Sequence, residues 1–291
     1  MVRALILLAA LLVSAIRGGN ANWDSYSAHI MPPNKWSVGI FHPMRYGIKD
    51  GLELSSHPGW FFVLPNASFK VPLSGFKSFH TATRISFIYP TPLLNMLSRE
   101  GIGGIIDPNF AIPPMLGVSG SFLMSKELLE VNSTIKAGLD FGLVFGDLDA
   151  RSNIDLPIIY HRLEVFHNGW GWHTGLDLDT ELLKKVRIFM DIDLRFIPDT
   201  ANKGKEKNYT MRSGDYSIEH KMLLIWERSS KFRIMTGYKL VSGDYPYGKQ
   251  TRLLPYIPLL EQWLPLIELQ WLRCLNSFMV IIILQPFLHR L

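Results

Sequence analysis

The sequence has almost no cysteine, and this excludes disulfides as a source of stability. Cys274 is the single cysteine in the 291 residues, so no intrachain disulfide can form. Exported proteins commonly rely on such bonds. If this chain is exported, we therefore expect burial, backbone pairing or embedding in a membrane to hold the fold together.

The sequence also lacks a large charge of either sign and a long apolar run in its middle. Its 30 Lys and Arg residues nearly balance its 25 Asp and Glu residues, whereas nucleic-acid-binding proteins usually carry a basic patch or stripe. We therefore expect no nucleic-acid partner. Between the first residues and residue 270, no stretch is apolar over the roughly 20 residues that a membrane helix needs. If the mature chain spans a membrane, it does so with strands.

The first 21 residues have the pattern of a secretory signal peptide. Arg3 precedes an apolar run over residues 4–16, and Gly19 and Ala21 supply small residues before a cleavage site. We interpret residues 1–21 as a signal peptide for the Sec route; the alternatives are an uncleaved amphipathic anchor and a buried helix. Because no cysteine directly follows Ala21, we expect no lipid anchor.

What the sequence does contain is alternation of apolar and polar residues, the pattern of strands with one apolar face. In residues 135–145 the odd positions are apolar: Ile135, Ala137, Leu139, Phe141, Leu143 and Phe145. The same period of two occurs in residues 170–179, 186–196, 215–226 and 231–240. A helical period would scatter the acids over the apolar face, and the short breaks between segments favour antiparallel neighbours.

Seven weaker segments also suit strands. They are residues 36–41, 52–55, 60–71, 79–89, 116–124, 154–167 and 263–271. Together with the five clear segments they predict an all-β fold, an antiparallel up-and-down β-barrel of roughly twelve strands over residues 22–272. A barrel of this size suits the length of the chain.

Two features favour a membrane barrel over a soluble β-sandwich, whose apolar faces point inward. Aromatic residues occur at strand ends, where membrane barrels place aromatic girdles: Trp170, Trp172, Phe196, Tyr216, Trp226 and Tyr238. The opposite strand face is rich in glycine and in charges of both signs, which suits a narrow lumen.

With its signal peptide, the chain resembles the bacterial outer-membrane β-barrel class. The shared features are architectural and indicate no narrower family. The resemblance implies a location in the outer membrane of a Gram-negative bacterium, with outer-membrane lipid and the barrel assembly machinery as partners. Such barrels usually end in an aromatic residue, whereas this chain ends in Leu291, and residues 278–284 are uniformly apolar. We interpret residues 273–291 as an atypical apolar tail or a last strand, with residues 263–271 as the candidate closing strand.

Two groups of side chains could bind a metal. His161, His167 and His173 lie in one segment, but their spacing matches no defined zinc pattern. Four acids on one hairpin face could hold Ca²⁺: Asp177, Asp179, Asp191 and Asp193. We favour an ion-pair network that fills the lumen, because cations occupy like-facing positions on nearby strands: Arg187, Arg195, Lys221, Arg233 and Lys239. We therefore predict no metal, no other cofactor and no wide pore.

A hydrolase would need a nucleophile, a base and an orienting acid. Ser217 and His220 fall on opposite faces of one strand, whereas Ser78 and His80, near Arg84, share a face. Neither a G-x-S-x-G nor an H-E-x-x-H motif occurs. We therefore assign no catalytic residue from the sequence.

The leading hypothesis is a non-enzymatic outer-membrane barrel that is structural, or that binds or passes a small apolar or amphipathic solute. The alternatives are an outer-membrane lipid-modifying hydrolase and a soluble periplasmic lipid-binding β-protein. Residues 199–212 form a long polar candidate for an external loop, and residues 99–114 are candidates to fold into the barrel mouth. Binding commonly resides in such loops.

Overall fold

Twelve antiparallel strands form one closed barrel in the part of the chain that the structure describes. The computed structural model describes residues 23, 26–39, 42–48, 51–59, 61–74, 78–100, 106–128, 131–149, 164–196, 216–243 and 264–274. Strands that follow each other in sequence pair with each other, and the last strand closes onto the first. The prediction of an all-β, up-and-down antiparallel barrel is therefore confirmed.

The strands and two short helices have the following bounds. The strands are β1 (Lys35–Gly39), β2 (Met44–Gly47), β3 (Glu53–Ser56), β4 (Asn66–Leu73), β5 (His80–Ile88), β6 (Met115–Leu128), β7 (Val131–Val144), β8 (Trp170–Leu183), β9 (Val186–Phe196), β10 (Tyr216–Ser229), β11 (Phe232–Gly243) and β12 (Leu264–Cys274). The helices are α1 (Thr91–Leu97) and α2 (Glu164–Asn168). Among the described residues, no helix is long and apolar enough to cross a membrane.

One predicted strand was wrong and one strand was missed. Part of the candidate strand over residues 154–167 forms α2, and residues 150–163 lie outside the described part. β2 is a strand of four residues that directly follows Pro43, and the apolar pattern did not single it out. The candidate closing strand is confirmed as β12, although it continues to Cys274. The predicted signal peptide and residues 275–291 also lie outside the described residues.

Side chains alternate between the exterior and the lumen of the barrel. On β7, the outward-facing side chains of Ile135 and Leu139 are 50% and 46% exposed. The side chain of Asp140 faces the lumen and is only 5% exposed. On β9, Ile192 points outward and Asp191 points inward. The apolar faces that a soluble sandwich would bury therefore form the outside of this barrel, and the charged faces form its lumen.

The connections differ in length between the two ends of the barrel. Two-residue turns join β8 to β9 and β10 to β11, and only two residues separate β6 from β7, at the end where β1 begins and β12 ends. We call this the short-turn end. At the opposite end, the long-loop end, residues 89–114 connect β5 to β6 and residues 145–169 connect β7 to β8.

Aromatic side chains occur on the exterior at both ends. Four exposed rings stand at the long-loop ends of β8, β9 and β10: Trp170, Trp172, Phe196 and Tyr216. Near the short-turn end, Trp226 is exposed, and the rings of Phe232 and Trp271 lie 5.5 Å apart. Tyr238 departs from the prediction of an aromatic strand end, because it lies in the middle of β11 opposite Met222.

The chain that precedes β1 crosses the lumen. The guanidinium of Arg233 on β11 lies 4.6 Å from the ring of Trp23 and donates to its carbonyl oxygen at 3.1 Å. The backbone N–H of Ala28 donates to Ser125 Oγ on β6 at 2.8 Å. Trp23 also packs against Leu272 on β12, and β6 stands opposite β12 in the closed barrel, so this segment spans the lumen from one wall to the other. We call Trp23 and residues 26–32 the N-terminal plug.

The middle and the end of the N-terminal plug are also fixed to the barrel wall. The ring of Tyr26 stacks on Phe189 with centroids 4.6 Å apart, and Lys221 Nζ lies 4.1 Å from the Tyr26 centroid. The N–H of Met31 donates to Glu53 Oε2 on β3 at 2.8 Å. The N-terminal plug therefore contacts β3, β6, β9, β10 and β11, and it occupies the half of the lumen nearer the short-turn end.

The long-loop end carries an apolar cap formed by α1, α2 and residues 106–114. Its buried side chains are Leu94, Ile106, Met115, Val165 and Phe166. Gly142 allows α2 to lie against the inner face of β7, because a Cβ at this position would overlap the carbonyl oxygen of Val165. The described part of residues 99–114 thus packs at the barrel mouth, as expected. Residues 199–212 lie outside the described part of the chain.

Candidate functional site

Buried ion pairs line the lumen beyond the N-terminal plug. Lys136 Nζ on β7 lies 2.8 Å from Asp177 Oδ1 and 2.7 Å from Asp193 Oδ1. Gly175 stands between Lys136 and Asp193 in the strand register, and a Cβ there would overlap the Asp193 carboxylate. The glycine on β8 therefore makes room for an ion pair that joins β7 to β9.

The four aspartates singled out in the sequence belong to this network. Asp177 lies directly opposite Asp191, where like charges repel each other. Lys221 Nζ lies 2.6 Å from Asp191 Oδ2, so this second carboxylate has a cation from β10. Arg187 binds Asp179 at 2.7 Å. The aspartates thus lie among cations, which agrees with the ion-pair interpretation rather than with a Ca²⁺ site.

A second group of charges lies nearer the long-loop end. Arg195 Nη1 on β9 is 3.3 Å from Asp140 Oδ2 on β7, and Arg195 Nε is 3.3 Å from Glu219 Oε1 on β10. Lys239 Nζ on β11 binds Glu219 Oε2 at 2.7 Å. These contacts hold the carboxylate of Asp140 in a fixed position on the lumen wall.

Asp140 also contacts a histidine that reaches a serine. His173 Nδ1 on β8 lies 2.8 Å from Asp140 Oδ2, and His173 Nε2 lies 3.0 Å from Ser121 Oγ on β6. A neutral imidazole that donates from Nδ1 to the carboxylate presents the Nε2 lone pair to the serine hydroxyl. This order of serine, imidazole and carboxylate is the one that activates a hydroxyl as a nucleophile.

A glycine permits the contact between Ser121 and His173. Ser121, Gly138 and His173 form one row of the register across β6, β7 and β8. A Cβ at Gly138 would overlap the backbone carbonyl oxygen of Gly120 on β6 and would lie 2.6 Å from His173 Nε2. The imidazole therefore crosses β7 over the space that a side chain at position 138 would fill.

The structure places the other histidines considered from the sequence elsewhere. His161 lies outside the described residues, and His167 lies in α2, where burial lowers its pKa from the usual value. Among the described residues, no group of three or more His, Cys, Asp or Glu side chains is placed to hold a metal ion.

The serine–histidine pairs considered from the sequence are also located. Ser217 is 1% exposed on the lumen face, while His220 Nε2 lies 3.2 Å from the Tyr238 hydroxyl, so the two occupy opposite faces as predicted. Ser78 is exposed in the turn before β5, and the ring of His80 lies 4.4 Å from that of His29 in the N-terminal plug.

Sequence reasoning missed Ser121 and Asp140 and did not connect them with His173. The three residues lie on three strands, and a period of two gives the face of each residue but not the register between strands. The signal that was available is Gly138, a lumen-facing glycine on the strand between the serine and the histidine.

Comparison with known proteins adds no assignment. No family model, no curated protein and no solved structure matches the chain.

We expect Lys136→Met to lower the free energy of unfolding by about 3–5 kcal/mol, because it leaves two carboxylates buried without this cation. Adding Asp177→Asn and Asp193→Asn should recover part of the loss, since both buried charges are then removed. Lys184→Met, at an exposed lysine in the turn between β8 and β9, is the control and should change the value by less than about 0.5 kcal/mol. Denaturant titrations followed by circular dichroism measure all three, and equal losses at positions 136 and 184 would contradict the network.

Proposed function

We propose that this chain is an outer-membrane β-barrel that holds a small amphipathic solute near its long-loop end and does not conduct solutes across the membrane. The proposed location of the chain is the outer membrane of a Gram-negative bacterium. Outer-membrane lipid is then the partner of its exterior, the assembly machinery inserts it, and residues 1–21 direct its export.

The apolar exterior is the observation that supports a membrane location most strongly. Exposed apolar side chains occur on the strands from β4 to β10: Phe69, Ile85, Phe122, Ile135, Leu139, Leu143, Leu176, Ile192, Leu194, Ile218 and Leu224. Soluble monomers rarely expose apolar patches of more than a few hundred Å². Exposing such a surface to water is unfavourable in free energy, whereas contact with the apolar chains of lipid is not.

The two ends of the barrel support the same location. Exposed aromatic rings occur at both ends, as in the interfacial girdles of outer-membrane barrels. Short turns at one end and long connections at the other are also typical of this class, whose turns are short on the periplasmic side. We therefore place the short-turn end in the periplasm and the long-loop end outside the cell.

The contents of the lumen support binding over conduction. The N-terminal plug crosses the half nearer the short-turn end, and ion pairs line the space beyond it. Apolar cap residues such as Phe166 and charged residues such as Arg195 both lie toward the long-loop end. Apolar walls together with a few fixed polar groups suit small amphipathic molecules. A soluble lipid carrier would instead need an apolar lumen.

Membrane fractionation tests the location. The chain should remain with the outer membrane during carbonate extraction, because its exterior is covered by lipid. Its folded form should also migrate differently from its heated form on gels, since a closed barrel resists detergent until it is heated. Release of the chain by carbonate would contradict the membrane proposal and favour a soluble β-protein.

A charge on the exterior tests the depth of the strands in the membrane. Leu139→Arg should lower the free energy of unfolding in phospholipid vesicles by about 2–4 kcal/mol, the cost of an arginine at the bilayer midplane. Phe145→Arg lies on the same exterior face just beyond β7, where the cost should fall to about 0–1 kcal/mol. Equal costs at the two positions would contradict a bilayer around this strand.

Planar-bilayer recordings test the filled lumen. The mature chain should give no large, stable conductance, because the N-terminal plug spans the barrel. A variant that lacks residues 22–31 should give measurable channel events, since this deletion removes most of the segment that crosses the lumen. A porin-like current from the mature chain would contradict the proposal, and identical traces from both proteins would contradict the role of the N-terminal plug.

A further inference from the structure

We propose that Ser121, His173 and Asp140 form a hydrolytic site in the lumen for small, water-soluble esters. The inference rests on the solute-binding part of the proposed function, because an ester has to enter the barrel mouth. It is independent of the membrane location, since the three residues meet through the strand register of the closed barrel. It also differs from a lipid hydrolase, because the site faces the lumen and not the lipid.

The hydrogen bonds have the geometry that nucleophile activation requires. The serine–histidine distance of 3.0 Å and the histidine–aspartate distance of 2.8 Å fall within the range of about 2.6–3.2 Å that is typical of activated nucleophiles. Asp140 and His173 are 5% and 7% exposed, whereas Ser121 is partly exposed. The nucleophile is therefore the most accessible of the three groups.

The orienting carboxylate is itself held in place. Arg195 lies directly opposite His173 in the register and binds Asp140 at 3.3 Å, while its other side binds Glu219. Asp140 is thus anchored from β9 while it contacts the imidazole on β8. An orienting group of this kind fixes the tautomer and the direction of the histidine.

The position of the site in the barrel selects the substrate. His173 lies three residues after the start of β8 at Trp170, and Arg195 is next to the last residue of β9, so both lie near the long-loop end. Charged side chains flank the row, with Lys136 two residues from Gly138 on β7 and Arg195 opposite His173 on β9. A short polar ester fits this setting, whereas a phospholipid would have to bring its long apolar chains out of the bilayer into a charged lumen.

The reaction balances with water as the only co-reactant. Ser121 Oγ bonds to the carbonyl carbon of the ester while His173 Nε2 takes the serine proton. The bond from that carbon to the alkoxy oxygen then breaks, and His173 returns the proton to the leaving alcohol. Water attacks the acyl-serine and gives its proton to His173, the acid leaves, and Ser121 regains its proton.

Covalent labelling of the purified chain in detergent micelles tests the site. Diisopropyl fluorophosphate should modify the wild type, and peptide mass spectrometry should find the adduct on Ser121. His173→Gln should slow labelling by at least about 100-fold, because general-base assistance typically contributes 10²–10⁴-fold. The wild type should also release p-nitrophenol from p-nitrophenyl acetate and leave phospholipid vesicles intact.

Two glycines provide a matched pair of variants. Gly138→Ala should suppress labelling, because the new methyl group overlaps the Gly120 carbonyl oxygen next to Ser121 and lies where the imidazole crosses β7. Gly120→Ala, in the neighbouring strand, adds the same methyl group where nothing lies within 4 Å, and it should label at the wild-type rate. Folding of each variant is checked by its migration before and after heating.

Three results would overturn the inference. They are absence of labelling in the wild type, an adduct on another serine, and labelling of His173→Gln at the wild-type rate. The first two need no variant, so they decide the matter even if a substituted chain fails to fold. Hydrolysis of phospholipid with no release from p-nitrophenyl acetate would overturn the substrate class. None of these results affects carbonate extraction, so the membrane location is judged separately.

Discussion

The structure depends on one constraint, which is that every charge turned into the lumen needs a partner of opposite sign. An unpaired buried charge costs several kcal/mol, and the barrel turns many charges inward, among them Lys136, Asp177 and Asp191. The register of β7, β8, β9 and β10 places each of these charges beside one of opposite sign. A slip of one residue would move each of these charges to the apolar exterior, so the ion pairs and the exterior specify the same register.

Glycines on the lumen face extend this pairing beyond neighbouring strands. Gly175 lies between Lys136 and Asp193, and Gly138 lies between Ser121 and His173. In both rows the missing side chain lets groups two strands apart make contact. A glycine weakens a strand by itself, but here it allows a contact across three strands. The contact between Lys136 and Asp193 and the contact between Ser121 and His173 therefore both depend on a glycine in the strand between the two partners.

The sequence predicted the properties that depend on single strands. Alternation gave the barrel, the apolar exterior with Ile135 and Leu139, and the inward charges that pair in the lumen. The alternation did not predict contacts that depend on the register between strands or on segments of irregular backbone. The contact between Ser121 and His173 depends on the register of three strands. The N-terminal plug shows no periodic pattern, because its successive residues contact different strands. The period of two is a local signal, whereas these contacts are made between distant parts of the chain.

The N-terminal plug and the serine site are compatible because they occupy different heights of one lumen. The plug supplies partners to charges nearer the short-turn end: its Ser27 carbonyl accepts from Lys70 at 3.2 Å, and its Met31 N–H donates to Glu53. On β8 and β9 the serine row lies close to the opposite mouth, whereas Ser121 itself is in the middle of β6. The N-terminal plug crosses the lumen nearer the short-turn end, and the apolar cap lies at the long-loop end. The proposed ester would therefore have to reach Ser121 from the long-loop end past this cap, which restricts the proposed site to small molecules.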